Sequence, residues 1–200
     1  MKRSLMVLLI VCAALSAWDL SALSNRRKLY EQRQRQQDDC RRSLRSLYNF
    51  FQNYANAHQG KLPAANNFAG LKELIRQGAS ELNFRCPDFD GKKVKSVIDL
   101  TEKRMPFLYF GGANLFLAQQ HCPKLPLACD KPGTRHLNVL LMDGTVSEID
   151  HRRVKVKISN CQSIVEALNE IYKYPAPLLK ALRANAQAMD EQLKADEKKK

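Results

Sequence analysis

Cysteine and histidine are the residues of this sequence whose chemistry could be most specific. Six cysteines occur, at positions 12, 40, 86, 122, 129 and 161. Cys122 and Cys129 flank a short loop, and we predict that they form a disulfide if the chain reaches an oxidising compartment. Together with His121 and His136 they could instead bind zinc, but structural zinc sites usually have two closely spaced ligand pairs. A disulfide is therefore favoured over a metal site, although the sequence leaves other cysteine pairings open.

His136 and Asp143 could in principle act as an acid–base pair. However, Asp143 precedes Gly144, and an Asp-Gly pair between apolar runs is a strong signal for a hairpin with a type I′ turn. We therefore expect Asp143 and Gly144 to form a turn, with His136 and Asn138 at the start of the strand before it. Since no nucleophile motif, phosphate-binding loop or dinucleotide fingerprint accompanies them, we predict no enzymatic activity and no cofactor.

The N-terminus has the layout of an export signal. Lys2 and Arg3 precede an apolar run over residues 5–18, which is short for a helix that spans a bilayer. We expect either a cleaved signal peptide over residues 1–24 or an uncleaved anchor over residues 5–23 that associates with the inner membrane. The protein is accordingly predicted to lie in the periplasm or the cell envelope.

A long helix is predicted next, in two parts of different character. Residues 25–39 are almost wholly polar, which favours a solvent-exposed helical stalk. From residue 40 onwards, apolar side chains recur at three- and four-residue spacings and predict a buried stripe. Its main members are Leu44, Leu47, Tyr48, Phe51 and Tyr54. Such a stripe could bind a partner helix, but packing in the core of its own domain is favoured.

The rest of the pattern indicates a small sheet followed by helices. We expect a short helix over residues 68–77, strands over 107–110, 137–142, 145–149 and 154–158, and helices over 161–172 and 178–193. The last helix could pack on the domain or bind a partner. The predicted fold is α+β, with a long N-terminal helix packed on a small, mainly antiparallel sheet and C-terminal helices. One domain over residues 40–158 is then followed by helices and a basic tail over residues 159–200.

Four sequence blocks occur in a familiar order within residues 36–150: CRRSLRSL at 40–47, GKLP at 60–63, FRCP at 84–87 and DKPGTRHLNVLLMDGTV at 130–146. Together they resemble the bacterial type II secretion pseudopilin-like proteins, the group with a prepilin-type cleavage domain and a His-to-Asp-Gly signature. The leader lacks a processing site of the Gly-Phe-Thr-Leu-Ile-Glu type found in prepilins. The resemblance implies a pilin-like head, with a helical spine on an antiparallel sheet, outside the cytoplasm.

This resemblance favours a non-enzymatic, structural or interaction role in a type II secretion or type IV pilus-like system. Other pseudopilins or secretion-apparatus subunits would be the partners. The 33 Lys and Arg residues exceed the 20 Asp and Glu residues, giving a net charge of +13. Since this excess is spread along the chain, specific nucleic-acid binding is not expected. The alternatives are an exported basic module that binds polyanions or acidic partners, and a cysteine- or metal-dependent enzyme.

Overall fold

A computed structural model describes residues 2–87, 89, 96, 100–132, 134, 136–150 and 152–198, with side chains from residue 23 onwards except that of residue 197. The chain divides into two units, residues 1–38 and 39–200. The predicted signal peptide or anchor falls almost wholly on residues whose side chains lie outside this description. In the part of the chain that is described, no helix is both long and apolar enough to cross a membrane.

Helix α1 extends from Lys2 to Ala57. All side chains of residues 23–35 are exposed. Further along the helix, five apolar side chains at intervals of three or four residues are fully buried: Cys40, Leu44, Leu47, Phe51 and Ala55. At this spacing they share one face of the helix. Tyr48 and Tyr54 are partly buried and pack against the edge of this stripe.

The end of α1 is fixed by a glycine. The Gly60 amide donates a hydrogen bond of 2.7 Å to the Ala55 carbonyl, and Gly60 has a φ of 83°. A Cβ atom at this position would lie 2.7 Å from the Asn114 side chain. Glycine is therefore required here both for the left-handed backbone and for the close approach of the neighbouring segment.

Four strands form one antiparallel sheet in the order β1-β2-β3-β4. Their bounds are Phe107–Tyr109, Pro126–Asp130, Asn138–Leu141 and Val146–Glu148. The predicted α+β fold, with a long N-terminal helix, a small antiparallel sheet and C-terminal helices, is confirmed. Strand β2 was not predicted, because its N-terminal part was expected to be a loop.

The prediction of a strand over residues 154–158 was wrong. This segment forms no strand, and the Lys155 amide donates to the Glu170 carboxylate at 2.9 Å instead of to a neighbouring strand. Val154 is nevertheless buried. The alternation of apolar and lysine residues therefore reflects burial of one side of an irregular segment.

The hairpin between β3 and β4 is confirmed, but its predicted turn type was wrong. Gly144 has a positive φ of 82°, whereas Asp143 does not have a positive φ. The Leu141 amide donates to the Thr145 carbonyl and the Gly144 amide to the Leu141 carbonyl, both at 2.9 Å. The loop thus contains three residues. Hairpin loops of this length usually consist of a type I turn followed by a residue in the left-handed conformation, which is here Gly144.

Helices cover both faces of the sheet. On one face, called here the α1 face, Phe107, Tyr109 and Leu140 pack with α1 and with α2, which spans Asn67–Arg76. On the opposite face, the α4 face, Leu108, Val139 and Leu141 pack with α4 (Cys161–Tyr172) and α5 (Ala176–Lys198). Helix α5 therefore packs on the domain, with Arg183 forming two hydrogen bonds, of 2.6 and 2.8 Å, to Glu166. A short helix α3, Leu115–His121, precedes β2.

Candidate functional site

Four side chains of metal-ligand type converge under the α1 face. Cys40, Cys86, Asp130 and His136 are all buried, and their ligand atoms lie within 4.8 Å of one another. We call these four residues the buried cluster. Cys40 and Cys86 form a disulfide between residues 46 positions apart in the chain, with their Cα atoms separated by 4.6 Å.

The two cysteines are brought together by a short 3₁₀ helix, Glu81–Phe84, that lies against α1. Its capping residue Ser80 donates its amide to the Asn83 side chain at 2.7 Å. The Asn83 amide group in turn donates to Ser46 on α1 at 2.5 Å. Because Ser46 lies less than two turns from Cys40, this contact fixes the segment that carries Cys86 beside the start of the buried stripe.

The other two members come from the sheet. Asp130 ends β2 and His136 precedes β3, so that the antiparallel pairing of these strands places them together. The His136 Nε2 atom lies 3.6 Å from the Asp130 Oδ2 atom and 3.8 Å from the Cys86 sulfur. The imidazole thus stands between a carboxylate and the disulfide.

A second layer of hydrogen bonds orients the Asp130 carboxylate. The backbone and side-chain amides of Asn138 both donate to Asp130 Oδ2 at 2.8 Å. Arg41 Nε donates to the Asn138 side-chain oxygen at 3.1 Å, and the same guanidinium binds Glu148 at 2.9 Å. The network therefore connects α1, β3 and β4 around the cluster.

His136 and Asp143 lie at opposite ends of β3, so the structure does not assemble them as an acid–base pair. Asp143 instead accepts a hydrogen bond of 2.6 Å from the Lys124 ammonium group and one of 2.9 Å from the Thr145 amide. Partial burial raises the pKa of Asp143, but these hydrogen bonds outweigh it and leave the pKa below its ordinary value. Asp143 and Gly144 thus close the hairpin, whereas His136 and Asn138 belong to the buried cluster.

The predicted disulfide between Cys122 and Cys129 was wrong, since both are free. Cys122 is the C-cap residue that follows α3, whereas Cys129 is buried on the α4 face. From Pro126 the chain runs as a strand, advancing about 3.3 Å per residue, and this separates the two sulfurs. The alternative zinc ligands, His121, Cys122, Cys129 and His136, are likewise not brought together, because His136 lies beside Cys86.

Burial raises the pKa of Cys129 and also that of Cys161, so both remain thiols at neutral pH.

A cleft of about 870 Å³ adjoins the disulfide, and Cys86 forms part of its wall. Three arginines also line it: Arg42, Arg85 and Arg104. Arg42 is paired with Asp39 at 3.2 Å. The cleft provides a route by which small solutes can approach the Cys86 side of the cluster.

Sequence reasoning missed the cluster because its members belong to three separate blocks. One local signal was present: Asp130, His136 and Asn138 occur within nine residues of each other, in the block that carried the family resemblance. The pairing of Cys40 with Cys86 had no local signal. Comparisons with protein-family models, with curated proteins and with solved structures find no match for this chain.

Proposed function

We propose that this chain is an exported, non-enzymatic protein of the bacterial envelope. It serves as a structural or interaction component related to type II secretion or type IV pilus-like systems. The supporting observation is the packing of the α1 stripe on one face of a four-stranded antiparallel sheet, which is the arrangement that the pseudopilin resemblance implies. Other subunits of such an apparatus are the proposed partners.

The disulfide adds independent support for export. Disulfides persist in the periplasm and outside the cell, whereas cytosolic thiols are kept reduced. The disulfide between Cys40 and Cys86 joins α1 to the segment after the 3₁₀ helix. Its formation therefore stabilises the folded domain.

Fractionation of the native cells tests this proposal. The full chain, with an affinity tag after Lys200, is recovered from cytosolic, membrane and periplasmic fractions in the presence of an alkylating agent. We expect the protein in the membrane or periplasmic fraction, with Cys40 and Cys86 protected from alkylation. N-terminal sequencing then distinguishes a cleaved leader from a retained anchor. Recovery from the cytosol with both cysteines alkylated would contradict the proposal.

A basic surface on the stalk supports a more specific role within the same proposal. Arg26, Arg27 and Lys28 are exposed, and Arg27 pairs with Glu31 at 2.9 Å. Clustered basic residues next to an apolar segment attract anionic lipid headgroups, by about 1 kcal/mol for each charge near the surface. We therefore infer that this stalk lies close to an anionic membrane surface.

Sedimentation with vesicles of phosphatidylglycerol and phosphatidylcholine tests the role of the stalk. Changing Arg26, Arg27 and Lys28 to glutamate should lower vesicle affinity at least about 100-fold at low salt. A matched control changes three exposed basic residues of the domain, Arg152, Lys155 and Lys157, and should reduce affinity much less. Equal losses of vesicle affinity in the two triple variants would show that binding depends only on net charge, which would contradict a specific role for the stalk.

A further inference from the structure

We propose that the buried cluster binds one zinc ion when Cys40 and Cys86 are in the dithiol form. The cluster then has two cross-linked states, a disulfide and a zinc site. Both hold α1 to the segment that carries Cys86. This inference goes beyond the proposed function and does not depend on it, because it concerns only the ligand chemistry of four side chains.

The donor set is one that zinc prefers. Two thiolates, an imidazole nitrogen and a carboxylate oxygen supply four ligands, the number found in closed structural zinc sites. Two of the six distances between ligand atoms already fit. With zinc–ligand bonds of about 2.0–2.3 Å, ligand atoms at the corners of a tetrahedron lie about 3.3–3.8 Å apart. His136 Nε2 lies 3.6 Å from Asp130 Oδ2 and 3.8 Å from Cys86 Sγ. All four ligand atoms lie within 4.8 Å of one another, and zinc binding requires the two sulfurs to separate once the disulfide is reduced.

The surroundings of the cluster have the features of a supported metal site. Metal-bound carboxylates are usually held by further hydrogen bonds, and Asp130 accepts two from Asn138, both at 2.8 Å. Arg41 Nε donates to the side-chain oxygen of Asn138 at 3.1 Å and so orients the amide that binds Asp130, while the charge of the guanidinium is paired with Glu148. The cleft at Cys86 supplies an entry path.

Interconversion of the two states needs a reductant, for which a phosphine serves in vitro. The phosphine attacks the disulfide, water supplies its oxygen, and the products are a phosphine oxide and two thiols. Zinc binding then releases one proton from each thiol. Reoxidation by an added small-molecule disulfide removes two electrons from the two sulfurs, restores the Cys40–Cys86 disulfide and releases the ion, while the added disulfide is reduced to two thiolates that water protonates.

The test is a metal titration of the full chain in its oxidised form and, without oxygen, in its phosphine-reduced form. Cobalt(II) is used first, because its visible spectrum identifies tetrahedral coordination and bonds to thiolate. Zinc is then measured in competition with a chromophoric chelator. We expect one tetrahedral cobalt ion for each reduced chain, displaced by one zinc ion, and no such site in the oxidised chain.

Four variants make the assignment specific. His136→Asn and Asp130→Asn should each weaken zinc binding by on the order of 100-fold or more, and Asn138→Ala by about 10-fold. His121→Asn, which changes a histidine outside the cluster, should bind as the unchanged chain does. Circular dichroism of the oxidised variants checks that each one folds before reduction.

Three results would overturn the proposal. The first is a reduced chain whose cobalt spectrum lacks tetrahedral thiolate bands. The second is equal zinc affinity for the unchanged chain and the His136→Asn variant, since the ion would then be held by thiolates alone. The third is equal metal binding by the oxidised and the reduced chain. None of these results depends on the cell fraction from which the protein is recovered.

Discussion

The two faces of the sheet are built from alternate residues of the same strands, yet they are stabilised differently. Phe107 and Tyr109 of β1 point into the α1 face, while Leu108 between them points into the α4 face. The α1 face contains a disulfide and a buried polar network. The α4 face is predominantly apolar and contains the free thiols of Cys129 and Cys161.

Several contacts of the α1 face join residues that are far apart in the chain. Helices α4 and α5 are adjacent in the chain and pack on each other with little loop to close. On the α1 face, by contrast, Cys40 meets Cys86 from 46 residues away, and Arg41 meets Asn138 from 97 residues away. Closing longer loops costs more conformational entropy. The disulfide is therefore a constraint on a long loop, although the α4 face also includes distant contacts, since the Tyr174 hydroxyl donates to the Lys124 carbonyl from 50 residues away.

The largest expected effect follows from removing that constraint. The double change Cys40→Ser and Cys86→Ser should lower the free energy of unfolding by about 4 kcal/mol, as the loop-entropy relation gives for a closed loop of this size. Urea unfolding without reductant or zinc measures it. Cys122→Ser, which changes a free cysteine, is the control and should change stability by less than about 0.5 kcal/mol. A loss below about 1 kcal/mol in the double variant would show that the covalent link does not distinguish the two faces.

A matched pair of leucines tests whether the apolar parts of the two faces contribute equally. Leu44 on α1 and Leu168 on α4 are both fully buried. Leu44→Ala and Leu168→Ala should each cost about 3 kcal/mol, through lost burial and a residual cavity. Thermal and urea unfolding compare them with Leu117→Ala, whose side chain is 56% exposed and should cost little. If Leu168→Ala were as mild as Leu117→Ala, the α4 face would not be part of the core.

A smaller effect is expected at a charged side chain that is buried against the start of α4. Asp190 on α5 accepts hydrogen bonds from the Cys161 and Gln162 amides, at 2.8 and 3.2 Å. Asp190→Ala leaves these helix N-terminal donors without their acceptor, and the expected cost is about 1–2 kcal/mol. Urea unfolding measures the loss, with the exposed neighbour Glu191→Ala as the control. Identical urea midpoints for the two variants would mean that the hydrogen bonds to Asp190 do not stabilise the α4 face.

The smallest effect concerns the ion pair between Lys124 and Asp143 at the β3–β4 hairpin. Hydrogen bonds from Lys124 and Thr145 keep the pKa of Asp143 below its ordinary value of 3.8. The ion pair therefore stabilises the fold above pH 3.8, and this contribution is lost as the pH falls through the lower pKa of the folded state. Because Lys124 is 44% exposed, Lys124→Met should cost less than about 1 kcal/mol at pH 7.

Unfolding free energies across the acid range measure this pH dependence. The difference between the unchanged chain and Lys124→Met should shrink as the pH falls below 3.8. Lys157→Met, which changes an exposed lysine elsewhere, should show no such trend. A difference that stays constant down to pH 2 would mean that packing of the lysine stem, and not the ion pair, is responsible.

Local sequence determined the elements whose signals are periodic or tied to a particular turn. The spacing of Leu44, Leu47 and Phe51 predicted a buried helical stripe, and α4 begins and ends at the residues that its periodicity indicated. Asp143-Gly144 predicted a hairpin because glycine tolerates the positive φ that such a loop requires. These features depend on residues close in the chain, so sequence alone is sufficient for them.

Strand β2 and the cysteine pairing were decided by tertiary structure. Residues 126–130 are buried on both sides, between β1 and β3, and so lack the alternation that marks a half-exposed strand. Cys122 and Cys129, close in sequence, lie apart because a strand begins between them. Cys40 and Cys86, far apart in sequence, meet because α1 and the 3₁₀ helix pack together. His136 and Asp130 join them only when β2 and β3 pair, since a site built from three separate segments exists only once the chain has folded.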